Sequence, residues 1–226
     1  MSGGKRRAPG ARDLTVSVRA ARGRTESSRR WLQRQLNDPY VSAAKREGWR
    51  SRAAFKLTEL DDRFGLIRSG ARVVDLGAAP GGWAQVAMRR GASQIVALDL
   101  LPIDPIPGVT ILQGDFTTDS ALEQVMQALG GQADLVLSDM APNTTGHGAT
   151  DHLRIMALAE LAADFALRVL APGGAFVCKV FQGGSERAML DALKLAFRQV
   201  RHAKPPASRK DSSELYVVAQ GFRAAG

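Results

Sequence analysis

The period of the hydrophobic pattern changes along the chain. Residues 1–28 hold few large apolar side chains and are rich in Gly, Ser, Arg and Ala, which predicts a disordered arm. Between about 29 and 66, apolar residues recur at helical spacing. Asp38 stands before Pro39, and Gly48 follows the next helical stretch, so a capped helix is expected between them. A further helix is expected from Ser51 as cap, with Ala53, Leu57, Leu60 and Phe64 on one face and Lys56 bordering that face. From residue 71 short apolar runs take over. "RVVDLG", "QIVALDL", "VTILQGD", "ADLVLSD" and "AFVCKVF" read as strands, as do a segment near 200–204 and "ELYVVAQGF". Between them lie helical "GWAQVAMRRG", "DSALEQVMQALG", a long helix over about 150–170 that stops at "APGG", and "SERAMLDALKLAF". Near-continuous apolar strands separated by helices predict a mostly parallel sheet covered on both faces. The expected fold class is therefore α/β, Rossmann-like: a single domain over 29–226 whose residues 29–66 form a helical extension, preceded by the arm of residues 1–28.

Charge adds a partner class. The net charge is +9, and residues 1–50 hold 13 Lys and Arg against 4 Asp and Glu, whereas the rest of the chain balances 18 against 18. A basic arm on a neutral body implies a polyanion. The first 28 residues lack the apolar face that a membrane surface requires, so nucleic acid is the expected partner and membrane is not. No apolar run approaches the roughly 20 residues that cross a bilayer, and the basic N-terminus is not followed by a secretory signal pattern. Cys178 is the one cysteine, so no internal disulfide forms. A cytoplasmic location is expected.

Candidate chemistry lies at the carboxyl ends of the strands, where open α/β sheets bind ligands. "DLGAAPGGW" is glycine-rich and opens a helix, but Gly77, Gly81 and Gly82 have neither the dinucleotide spacing nor that of a P-loop. Asp75, Asp99, Asp115 and Asp139 each end a strand. Singly, each reads as a cap or turn residue. Four at one rim repel and call for a ligand that is cationic or rich in donors. There is no interleaved His and Cys set, and separate strand ends make a poor cage, so no metal is expected. Ribose hydroxyls, an amino-adenine, an ammonium and a sulfonium suit the carboxylates, which points to S-adenosylmethionine. Asp99 is placed for the ribose hydroxyls and Asp115 for the adenine amino group. Lys179, inside the apolar run "AFVCKVFQGG", is costly to bury unpaired. It and Asp139 interrupt or end neighbouring strand patterns, so they can meet at that rim.

Seven ordered stretches, "SRAAFKL", "VVDLGAAPGGW", "ALDLLP", "QGDF", "LSDMAPN", "CKVFQG" and "KPPASRKDSSELYVV", resemble the FtsJ/RrmJ (RlmE) family of ribosomal RNA 2′-O-ribose methyltransferases. The resemblance runs from about Trp31 to the end and leaves out the first 28 or so residues. It implies a class I S-adenosylmethionine-dependent methyltransferase fold with a seven-stranded, mostly parallel sheet and an antiparallel last strand. It implies that Gly81, Trp83, Asp99, Asp115 and Asp139 line the cofactor site. It also implies that Lys56, Asp139, Lys179 and Glu214 form the catalytic set. In that set Lys179 is the base, Asp139 its orienting partner, and Lys56 and Glu214 hold the ribose and balance charge. A lysine base requires a pKa well below about 10.4. The implied substrate is a uridine in 23S ribosomal RNA of the large subunit, free or in the ribosomal particle, and a monomeric enzyme is expected.

Without the resemblance, Lys56 reads as a solvated helix lysine, Glu214 as an edge-strand acid, and Asp139–Lys179 as a structural ion pair. Three competing functions stay open, the first of them through the resemblance and the other two on the residues. These are 2′-O-methylation of another RNA such as tRNA, a non-catalytic RNA-binding ribosome assembly factor, and a nicotinamide-dependent oxidoreductase, which the glycine spacing disfavours. His147 reads as an ordinary loop residue, with substrate contact the alternative, and His152 and His202 as structural or exposed. "KPPASRKD" reads as a basic turn able to meet phosphates, or as plain surface. Trp31, Tyr40 and Trp49 read as packing residues of the extension, with stacking on bases the alternative.

Overall fold

The computed structural model describes residues 32–33, 36–141, 148–182 and 187–223. The expected arm of residues 1–28, Trp31 and His147 lie outside the described residues. The first described full helix, α1 (Pro39–Glu47), is built as its sequence suggests. Asp38 Oδ1 accepts from the Tyr40 N–H at 3.0 Å, and Gly48 closes the helix in the left-handed region at φ 70°.

The next helix, α2 (Ala53–Phe64), departs from expectation. Arg52 occupies the cap position without a side-chain capping bond, and the Ser51 hydroxyl is buried without a partner. The reason is a close helix approach. A Cβ on Gly82 would lie 2.6 Å from Ser51 Oγ, so that hydroxyl is wedged beneath the next helix instead of folding back over its own. Ser51 contributes only its backbone carbonyl, which accepts from the Ala54 N–H at 3.2 Å.

The remaining elements alternate: β1 (Arg72–Leu76), α3 (Gly82–Arg89), β2 (Gln94–Asp99), β3 (Val109–Gln113), α4 (Asp119–Leu129), β4 (Ala133–Ser138), α5 (Gly148–Val169), β5 (Leu170–Phe181), α6 (Arg187–Ala196), β6 (Phe197–Ala203) and β7 (Glu214–Phe222). They form one seven-stranded sheet of order β3-β2-β1-β4-β5-β7-β6. Strands β1 to β5 pair in parallel, and β7 inserts antiparallel between β5 and β6. This is the mostly parallel sheet that the strand pattern predicts, with the antiparallel last strand that the family resemblance implies. Strand β5 begins at Leu170, earlier than "AFVCKVF", with a register shift opposite Ala133 and Leu135 that absorbs the "APGG" segment. Among the described residues, no helix is long and apolar enough to cross a membrane.

Alternation along the strands divides the core into two layers. Val74, Leu76, Val136, Phe176 and Cys178 pack against α4, α5 and α6. Val73, Leu135, Leu137, Val177 and Tyr216 pack against α2 and α3. Burial pushes the Cys178 thiol up to about 12, so it is an inert core residue.

Asp75 breaks the apolar pattern of the second layer. It is 1% exposed, in register with Ala97 and Leu137, and neither carboxyl oxygen has a hydrogen-bond partner. The sequence places it at the rim with Asp99, Asp115 and Asp139. The structure instead turns it inward, because it is the fourth of five strand residues and shares the face of Val73. Burial first, and then the charges of Asp139 and Asp99, push its carboxyl from the ordinary 3.8 to about 8, with the nearby Ala84 N–H offsetting only part. The folded protein therefore binds a proton there that the unfolded chain releases. The associated stability is fully present below about pH 4 and is lost as pH rises to about 8. Asp75→Asn removes this titration. In urea unfolding between pH 5 and pH 9, the variant should gain on the parent by up to about 1.4 kcal/mol per pH unit, levelling off above about pH 8. A stability difference that stays constant with pH would contradict this.

Candidate active site

The antiparallel course of β7 puts its first residue at the same sheet edge where β4 and β5 end. In register, Tyr216 stands opposite Lys179 and Glu214 opposite Phe181. With a period of two, Lys179 shares the face of Ala175 and Val177, and Glu214 that of Tyr216. Helix α2 covers this face and brings Lys56 down onto it. Lys56 is 8% and Lys179 6% exposed, so neither is a solvated surface lysine.

These groups form one linked cluster. Lys56 Nζ lies 2.8 Å from Glu214 Oε2 and donates to the Tyr216 hydroxyl at 3.1 Å. That hydroxyl donates to Asp139 Oδ1 at 2.7 Å. Lys179 Nζ lies 3.2 Å from the same oxygen and donates to the Asp139 backbone carbonyl at 2.6 Å. Two cations and two anions thus balance in a buried place. Burial pushes the Asp139 carboxyl up, but Lys179, Lys56 and the Tyr216 hydroxyl outweigh it and hold the group below the ordinary carboxylate value. Burial and the two neighbouring carboxylates push Tyr216 well above a free phenol, so it remains a proton donor to Asp139 at neutral pH. The four residues expected in a catalytic set are therefore brought together. Tyr216, which joins them, was missed by the sequence reading, although its place two residues beyond Glu214 in a strand puts it on the same face.

A cleft of about 450 Å³ opens beside this cluster, lined by Gly77, Asp99, Asp115, Asp139 and Met140 among others. It runs across the carboxyl ends of β3, β2, β1 and β4, and so includes the β1/β4 point where the strand order reverses. Asp99 is held by the Ala79 and Leu101 N–H groups, at 2.8 Å each. Asp115 is exposed, and its Oδ1 accepts from Thr117 N–H at 2.9 Å and from the Thr117 hydroxyl at 2.7 Å, bonds that lower its pKa. Each rim acid precedes an apolar cleft residue, Leu100, Phe116 or Met140, which is a signal readable in the sequence. Gly77 has φ 74°, and a Cβ there would lie 2.6 to 2.9 Å from Met140 atoms, backbone included, so a side chain would close the crevice.

Gly81 and Trp83 stand apart from the cleft wall. Gly81 caps α3 at φ 101°. Trp83 is 3% exposed, donates from Nε1 to the Ala53 carbonyl at 2.8 Å, and packs its ring 5.7 Å from that of Tyr216. It braces α2 against α3 behind the cluster. His152 packs near Phe181 with ring centroids 6.4 Å apart, and His202 is exposed on β6. The "KPPASRKD" segment is not plain surface: Pro205, Ala207 and Ser208 are buried. Among the described residues, no cluster of His, Cys, Asp and Glu is suited to a metal ion.

The FtsJ-like methyltransferase family model matches residues 49–222. The Ribosomal RNA large subunit methyltransferase E of Granulibacter bethesdensis is 65% identical over 100% of this chain and 99% of its own length. The protein of the same designation from Acidiphilium cryptum is 66% identical, covering 94% of each chain. Among solved structures, a Plasmodium falciparum protein designated a candidate ribosomal RNA methyltransferase superposes with a TM-score of 0.67 at 29% identity, over 77% of this chain and 98% of that one. The chain belongs to the FtsJ-like methyltransferase family.

Proposed function

We propose that this methyltransferase transfers the methyl group of S-adenosylmethionine to a ribose 2′-hydroxyl, most specifically that of a uridine in 23S ribosomal RNA. The observation that carries the reading is the buried cluster of Lys56, Glu214, Tyr216, Asp139 and Lys179 beside a cleft rimmed by acids. The relatives' designation as large-subunit ribosomal RNA methyltransferases, at this identity and coverage, supports the RNA class. The net charge of +9, concentrated before residue 51, supports a polyanionic partner.

The cleft fits the cofactor by its chemistry. Asp99, fixed by two backbone N–H groups, has lone pairs left for ribose hydroxyls, and Asp115 Oδ2 is open to an amino group. Asp139, held ionised, faces the cationic end, with Gly77 allowing close approach. We assign Gly81 and Trp83 to the same site through the α3 start that they shape. When bound, S-adenosylmethionine supplies a methyl group on a positively charged sulfur. Lys179 supplies the base. At rest its ammonium is paired with Asp139; to act it first gives one proton to solvent, and the free amine then has two N–H donors and one lone pair. Asp139 engages both donors, through its backbone carbonyl and Oδ1, which leaves the lone pair for the proton of the attacking hydroxyl. Once protonated, the ammonium faces the Asp139 carboxylate. Lys56, set by Glu214 and Tyr216, offers a positive charge to the developing alkoxide.

Incubating the protein with labelled S-adenosylmethionine and large ribosomal subunits that lack the modification tests the reaction. The label should appear as an alkali-resistant ribose methyl; a labelled base would contradict the assignment, and a labelled tRNA in preference would move the substrate. Lys179→Ala should lower the transfer rate by about 10²- to 10⁴-fold while leaving S-adenosylhomocysteine affinity near that of the parent. Full activity in that variant would overturn the mechanism. Gly77→Ala should weaken S-adenosylhomocysteine binding, measured calorimetrically, by about tenfold or more, because its Cβ meets the Met140 backbone. Unchanged affinity would place the cofactor elsewhere.

A further inference from the structure

Glu214 has two carboxylate oxygens, and only one faces Lys56. The other, Oε1, accepts from Ser208 Oγ at 2.7 Å. We propose that Ser208 is a positioning residue that fixes the Glu214 carboxylate, and through it Lys56, for methyl transfer. This rests on the reading of Lys56 and Glu214 as parts of the reacting set.

The case begins with how Ser208 is placed. It is 5% exposed, and its own N–H donates to the Pro205 carbonyl at 2.8 Å, closing a tight turn in the β6–β7 connection. The helical extension grips that turn on either side of it. The Ala207 N–H donates to Glu59 Oε2 at 2.7 Å, and Arg52 donates to the Ala207 carbonyl. Asp38 Oδ2 lies 3.1 Å from Arg52 Nε and 3.5 Å from Arg209 Nη2. Asp38 is in turn the cap of α1. The main chain of the turn is thus anchored by α1 and α2, and none of these anchors uses the Ser208 side chain. Its hydroxyl is directed to Glu214.

The effect follows from the geometry of a carboxylate at the start of a strand. Held at Oε2 alone, by Lys56 at 2.8 Å, the group is free to rotate about its terminal torsion. Held at both oxygens, its plane is set, and so is the position of the Lys56 ammonium. Removing the hydroxyl leaves Oε1 without that charge-assisted bond in a side chain only 13% exposed. The cleft that binds the cofactor does not include Ser208 or Glu214. The loss should therefore fall on kcat and spare the KM for S-adenosylmethionine.

The test is a double-mutant cycle in methyl transfer to large ribosomal subunits, with the intact chain as reference. Ser208→Ala should lower kcat about ten- to hundredfold with the cofactor KM unchanged. Ser208→Thr, which keeps the hydroxyl, should recover most of that loss. In a Glu214→Ala background, adding Ser208→Ala should change kcat by no more than about twofold, because the group it serves is gone. Equal losses in both backgrounds would overturn the proposal. So would parent-like kcat in Ser208→Ala, or Ser208→Thr as slow as Ser208→Ala. Absence of ribose methylation by the parent protein is a separate result, and it would reject the functional reading itself.

Discussion

Two buried ion pairs joined through one phenol oxygen organise the reactive end of this protein. Lys56–Glu214 and Lys179–Asp139 would each be expensive to bury alone, and removing one partner of such a pair typically costs about 3 to 5 kcal/mol. Tyr216 lets them share an environment. Its hydroxyl accepts from Lys56 and donates to Asp139, using both its donor and its acceptor capacity. The charge within the cluster sums to zero, which makes its burial tolerable. Preorganisation follows: each polar group is already bonded to a neighbour before any substrate arrives, so little reorganisation remains for the reaction.

The sheet topology is what makes that cluster possible. A parallel strand following β5 would begin at the opposite edge and carry Glu214 and Tyr216 away from the ends of β4 and β5. Because β7 runs antiparallel, its first residues arrive at the carboxyl edge, in register with Lys179 and Phe181. The helical extension supplies the rest. Helix α2 contributes Lys56 to the cluster and Leu57 and Leu60 to the core, while Arg52 and Glu59 hold the β6–β7 turn. Gly82 allows α2 and α3 to meet closely enough for the Trp83 indole to reach the Ala53 carbonyl. The extension is thus a wall of the site as well as a lead-in to the sheet.

Much of this was legible in the chain, for identifiable reasons. Strand alternation and the helical periods give the order of elements, and the acid that ends β2, together with those just beyond β3 and β4, marks the cleft edge. Lys179 stands out because an apolar strand has no other use for it. Lys56 and Glu214 could be singled out only through resemblance to a known family, since each is ordinary in its own segment. Asp75 was misplaced because a strand-end acid and one turned inward a residue earlier look alike without the register. Ser51 was misread because its cap role lost to helix contact, which depends on Gly82, far along the chain. Ser208 escaped notice because its role exists only where the turn before β7 meets α2, whereas Tyr216 carried a local trace, its i+2 spacing from Glu214 in a strand, but nothing in its own segment says that α2 covers that face.

The most direct test of the account is a crystal structure of the protein with S-adenosylhomocysteine and a short RNA containing the target nucleotide. The account predicts the ribose 2′-oxygen within hydrogen-bond reach of Lys179 Nζ, beside Asp139, and in line with the cofactor sulfur in the cleft bounded by Asp99 and Asp115. A ribose lodged away from Lys179, or a cofactor outside that cleft, would contradict it.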